Sequence, residues 1–125
     1  MENGRMETIN VLKVEPGKVP ERIDLPNTLE AMQQLVGGYI ESVWLGDGVC
    51  LICNEEGKLS NLEPNRRVGN DIIAGTFFLA GDDESGDFVS LNEKQFEFYE
   101  KQFAEPQTFS ESDVFKSIVM GFFGM

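Results

Sequence analysis

Two short stretches place amides, carboxylates and cationic groups close together just after a strongly apolar run: Asn54-Glu55-Glu56-Gly57-Lys58 and Pro64-Asn65-Arg66-Arg67. Amides, carboxylates and guanidinium groups are costly to bury unpaired and are the usual means of holding a polar ligand. In a binding role Arg66 offers a planar donor fork to phosphate or carboxylate, Asn54 and Asn65 read a polar edge, and Glu41 and Glu55 accept hydrogen bonds. A small polar ligand or a nucleotide fits that set. In an enzymatic role Glu55 would act as base and Arg66 would stabilise developing charge. The plainer alternative pairs Arg66 with Glu55 or Glu56 and leaves the asparagines to hold turns.

Other chemistries are excluded by what the chain lacks. It contains no histidine, which removes the commonest general base and metal ligand, and with them Ser-His triads and ordinary zinc sites. The acidic run Gly81-Asp82-Asp83-Glu84-Ser85-Gly86-Asp87 lacks EF-hand spacing and the later bidentate Glu, so it reads as a solvated turn. Cys50 and Cys53 form a CxxC only superficially. Redox pairs of that kind sit at a helix N-terminus, whereas Val49-Cys50-Leu51-Ile52-Cys53 reads as a strand that sends the two thiols to opposite faces. No metal or cofactor is expected.

The elements that position these groups follow from periodicity. Thr8 to Glu15 reads as a strand ending at Pro16-Gly17, and Arg22 to Leu25 as a short extended piece. A helix is expected from Thr28 to Val36, with Asn27 as cap and Glu30 completing a capping box. Leu29, Met32, Leu35 and Val36 would form its buried face, and Gly37-Gly38 its exit. Tyr39 to Leu45 and Val49 to Cys53 form a hairpin around Gly46-Asp47-Gly48. The two polar stretches then fall in loops flanking a brief strand from Lys58 to Leu62. Asp71 to Ala80 reads as one central strand, with Gly75 at a close approach. Ser90-Leu91-Asn92-Glu93 reads as a capping box opening a helix to about Phe103, with Leu91, Phe96, Phe98, Tyr99 and Phe103 on its apolar arc.

The expected fold is α+β: a single antiparallel or mixed sheet, two main helices packed mainly on one face, and a C-terminal helical appendage. Residues 1–7 are expected to be disordered, 8–104 to form the domain, and 105–125 to form an apolar, helical C-terminal segment. In that segment Phe115, Ile118, Val119, Phe122 and Phe123 could contact a protein partner or build a homodimer. Basic residues are too few there for a membrane anchor.

Charge narrows the partner class. Twenty-two acidic residues against ten basic ones give a formal charge of -12 and a pI near 4.3. Such a field repels phosphate backbones, so direct nucleic-acid binding is not expected. It suits solubility, and it also suits an inhibitor that occupies a basic nucleic-acid site on another protein. Met1-Glu2-Asn3-Gly4-Arg5 is not followed by an apolar leader, so a cytoplasmic location is expected.

The order of several segments also resembles one family. Val11 to Gly17, Asn27-Thr28-Leu29-Glu30, Val36 to Glu41, Asn54 to Lys58, Pro64-Asn65-Arg66 and Ile73 to Thr76 are together similar to the domain-of-unknown-function family numbered 3846, over roughly Ile9 to Phe103. The resemblance implies a setting in bacteria, phages and other mobile elements, and it carries no activity or catalytic residue. With the charge, it points to a non-enzymatic binding or regulatory protein, possible host-defence inhibition included.

Overall fold

A computed structural model describes the backbone of residues 7–123 and side chains up to residue 118. Residues 1–6, for which disorder is expected, lie outside the described residues. The strands are β1 (Thr8–Val14), β2 (Glu21–Pro26), β3 (Ile40–Gly46), β4 (Val49–Asn54), β5 (Pro64–Val68), β6 (Asp71–Ala74), β7 (Phe77–Asp82) and β8 (Phe88–Val89). The helices are α1 (Leu29–Val36), α2 (Glu93–Gln102) and α3 (Glu111–Phe123). The main sheet runs β2-β1-β7-β4-β3 with every neighbour antiparallel, β8 adds to the end of β7, and β5 and β6 form a separate two-stranded ladder. This is an α+β fold.

β4 and β7 are buried along almost their whole length because both faces of the sheet are covered. On one face α1 contributes Met32 and Val36 to a core with Ile9, Val11, Cys50, Ile52 and Phe78. On the other, Phe96, Tyr99 and Phe103 join Leu12, Val14, Leu51, Phe77 and Leu79. The expectation that both helices pack mainly on one face is therefore corrected. Alternation along β7 and β4 sends apolar side chains both ways, and each set requires its own cover.

The Asp71–Ala80 stretch is likewise two strands. Gly75 adopts φ +82°, and a Cβ there would lie 2.7 Å from Leu62 Cδ1, so the chain turns from the small ladder into the main sheet at a position only glycine fills. Residues 58–61 lie in a turn and 62 follows it without strand structure, while Pro64–Val68 is a strand despite its proline.

Capping also differs from the sequence reading. Thr28, one residue after Asn27, caps α1 by accepting from Ala31 N at 3.1 Å; Asn27 Nδ2 donates to Phe88 O at 3.2 Å. The α2 box is Asn92 with Gln95, at 2.8 and 2.9 Å, while Ser90 Oγ accepts from Asn10 N. Leu29 and Phe98 are exposed, leaving narrower buried stripes than the arcs read from spacing. At the β3–β4 hairpin Asp47 and Gly48 take φ of 53° and 73°, the double positive-φ turn that the Gly46-Asp47-Gly48 sequence favours. Among the described residues no helix is long and apolar enough to cross a membrane.

Candidate functional site

Tertiary structure separates the two polar stretches. Asn65 and Arg66 are both fully buried, although neighbours in a strand ordinarily point to opposite faces. A bulge explains it. Pro64 pairs with Ala74 and Arg66 with Ile73, so Asn65 is the extra residue and two consecutive side chains turn inward.

Asn65 Nδ2 donates to Val14 O at 2.9 Å and Gly75 O at 2.8 Å, tying the small ladder to β1 and to the chain leading into β7. Arg66 donates to Phe103 O from Nε (3.2 Å) and from Nη2 (2.9 Å), to Lys18 O (2.6 Å) and to Asn65 Oδ1 (2.7 Å). Every direct partner is a carbonyl oxygen. Burial pushes the guanidinium's pKa down, but an arginine starts high enough to stay charged. Arg66 is thus neither a free ligand fork nor paired with Glu55 or Glu56. It fastens the C-terminus of α2 and the β1–β2 turn onto β5, and it cannot reach a substrate.

The first stretch does border a cavity. A 330 Å³ pocket opens between the end of β4, the turn after it, β6 and α3, with Glu41, Asn54, Glu55, Glu56, Lys58, Asp71 and Ile118 among its lining residues. Its floor is the buried, largely apolar set Cys53, Ile72, Ile73 and Ala74. Glu41, Glu55 and Glu56 are exposed at its rim.

Local chemistry shapes this turn. Asn54 Oδ1 accepts from Glu56 N at 2.8 Å, and its Nδ2 donates to Val36 O at 3.2 Å, lying close over Gly38. Asn54 therefore braces the turn. Gly57 brings the backbone so near β6 that a Cβ would stand 2.6 Å from Ala74 O.

A polar clasp closes the far wall. Lys58 Nζ lies 2.5 Å from Asp71 Oδ1 and 2.7 Å from Ser117 Oγ, Ser117 Oγ donates to the same Asp71 oxygen at 2.5 Å, and Ile72 N donates to that oxygen at 2.8 Å. Burial raises the Asp71 carboxyl, yet hydrogen bonds from Lys58, Ser117 and Ile72 outweigh it and hold the group below its ordinary value. Each of these side chains is spent on the other two, so the trio reads as a fastening between the turn after β4, β6 and α3. The Cys53 thiol is pushed up to about 12, first by burial and then by Glu41 and Asp71, with Lys58 opposing. Cys50 and Cys53 are free and buried in the two opposite cores, as alternation along β4 requires.

Of the expected ligand set, Glu41, Asn54 and Glu55 line one pocket, and Asn65 and Arg66 do not. Lys58, part of the first stretch but given no role there, and Asp71, Ser117 and Cys53 join the site only in the structure, because the pairing of a turn with a distant helix leaves no short sequence signal. Of the expected partner residues, Phe115 is exposed and Ile118 borders the pocket; the side chains of Val119, Phe122 and Phe123 lie outside the described residues. Among the described residues no group of His, Cys, Asp and Glu is arranged to hold a metal.

No curated protein and no solved structure matches the chain. The profile of the domain of unknown function DUF3846 matches residues 9–104, which take in the sheet, the Asn65–Arg66 bulge, both main helices and all of the pocket except the α3 wall; the chain belongs to that family.

Proposed function

We propose that this domain is a non-enzymatic binding protein that captures a basic surface of another protein. One observation carries the reading: Asn54, Lys58, Asn65 and Arg66 spend their polar groups on internal partners and Arg67 lies away from the pocket against Phe109, whereas Glu41, Glu55 and Glu56 stand exposed around an apolar floor. Apolar area ringed by like charge suits a lysine or arginine side chain, whose stem is apolar and whose head is cationic. A net charge of -12 adds long-range attraction for basic partners and repulsion for nucleic acid. The mobile-element setting that the sequence resemblance implies would direct this proposal toward a host nucleic-acid-handling or defence protein, whose basic groove the domain would occupy. The nucleotide reading loses its phosphate-binding group, because Arg66 is enclosed.

The test uses the immobilised full chain and a Glu41→Gln/Glu55→Gln/Glu56→Gln variant, each challenged with host lysate at low and at moderate salt. The wild type should retain a protein with a basic nucleic-acid site, release it as salt rises, and lose most of it in the triple variant. Retention that is indifferent to both salt and the three substitutions overturns the reading.

A further inference from the structure

The two edges of the main sheet are treated differently. On β2, Arg22 is forked between Glu93 (3.0 Å) and Glu100 (2.7 Å) and lies over the Phe96 ring, so that edge carries charge and is tied to α2. β3, at the other edge, pairs among the described residues with β4 alone. It has neither lysine nor proline to discourage pairing, it carries Trp44 at 69% exposure, and Tyr39, immediately before it, is 73% exposed.

Register shows which backbone groups of β3 are free for a further strand. Glu55 N donates to Tyr39 O at 2.9 Å, and the pairs Ile40↔Asn54, Glu41↔Cys53, Ser42↔Ile52, Val43↔Leu51 and Trp44↔Cys50 continue that register unbroken. Bonded and non-bonded pairs alternate in an antiparallel ladder. Glu41 and Val43 therefore bond to β4, while Ile40, Ser42 and Trp44 direct their N–H and C=O away from it. Among the described residues no strand lies on that side.

The two faces of this edge differ in chemistry. Trp44 shares the α1 face with Cys50; Glu41 shares the opposite face with Cys53 and borders the pocket. A strand laid against β3 would set alternate side chains on the Glu41 face, one of them at the pocket mouth. We propose that β3 receives an extended, basic segment of a partner protein by strand addition, with its backbone bonded to Ile40, Ser42 and Trp44 and one lysine or arginine side chain entering the pocket beside Glu41. Backbone bonds then supply affinity and the acidic pocket supplies selectivity. A second copy of this chain is the poorer occupant, since each copy carries a charge of -12 and Glu41 lies in the strand itself. This inference rests on the basic-partner reading and adds where, and in what conformation, the partner binds.

The experiment uses the full chain at low salt with a synthetic peptide of alternating lysine and valine, and a charge-matched control in which prolines replace alternate valines. Tryptophan fluorescence gives affinity, and amide exchange by NMR gives the site. The alternating peptide should bind about tenfold or more tightly than the control, slow exchange at Ser42 and Trp44, and leave Glu41 and Val43 unchanged. Trp44→Ala, read by calorimetry, should weaken it by about tenfold. Equal binding of both peptides overturns strand addition while the acidic-capture reading stands; binding of neither overturns both. Protection of Ser42 and Trp44 without peptide, together with a dimer mass in sedimentation, assigns the edge to a second copy and also overturns the proposal.

Discussion

Replacing Arg66 with methionine keeps roughly the side chain's length and removes all its donors. The carbonyl oxygen of Phe103 and the side-chain oxygen of Asn65 then lose their guanidinium partner in a buried setting, and the carbonyl oxygen of Lys18 loses it in a partly buried one. An orphaned buried acceptor costs about 1–3 kcal/mol, and relief from burying a charge offsets part of the sum. We expect a net loss of about 3 kcal/mol, a large part of the ~5–15 kcal/mol that stabilises a typical domain. In urea titration the midpoint should fall with little change in slope, and in a thermal scan Tm should drop by about 10 °C. Arg66→Lys should fall between, because one ammonium cannot span carbonyls from β5, the β1–β2 turn and the end of α2. A loss below about 1 kcal/mol for the methionine variant, or unchanged stability with lost partner binding, would refute the fastening role and return Arg66 to the binding surface.

Two further predictions concern the pocket walls. The folded Asp71 carboxyl sits below its ordinary value, so the stability it contributes is present above the ordinary carboxylate range, near pH 4, and is lost as pH falls through the folded value. Protection factors along α3, which correct exchange for its intrinsic pH dependence, should therefore fall on acidification in the wild type and show no such step in Asp71→Asn; identical profiles would count against the clasp. At pH 8 in the native state a thiol reagent should leave Cys53, raised to about 12 and buried, and Cys50, raised chiefly by burial, unmodified, with both labelled in denaturant. Rapid native labelling of Cys53 would show that the pocket floor is open.

Much of the architecture was legible in local pattern. Glycine placement and β-branched alternation located β1, β3, β4 and α1, and the Gly46-Asp47-Gly48 turn followed from positive-φ chemistry. The opposite facing of Cys50 and Cys53 came from the two-residue strand period. Boundaries failed where a longer-range contact decided them: Gly75 breaks the apolar run at Asp71–Ala80 because the chain must cross from one sheet to another beside Leu62. Cap positions moved because Asn27 and Ser90 found partners in other elements.

By itself the sequence determined a net charge of -12, the lack of histidine, the α+β class and the family to which residues 9–104 belong. Only tertiary structure decided what the conspicuous polar residues do. A one-residue bulge turned Asn65 and Arg66 into the core, where backbone carbonyls from distant segments satisfy them, and thereby left the rim to Glu41, Glu55 and Glu56. Spacing along a chain predicts which face a side chain takes only while register is unbroken. Where a bulge or a turn shifts it, burial and hydrogen-bond satisfaction over long sequence separations decide the outcome.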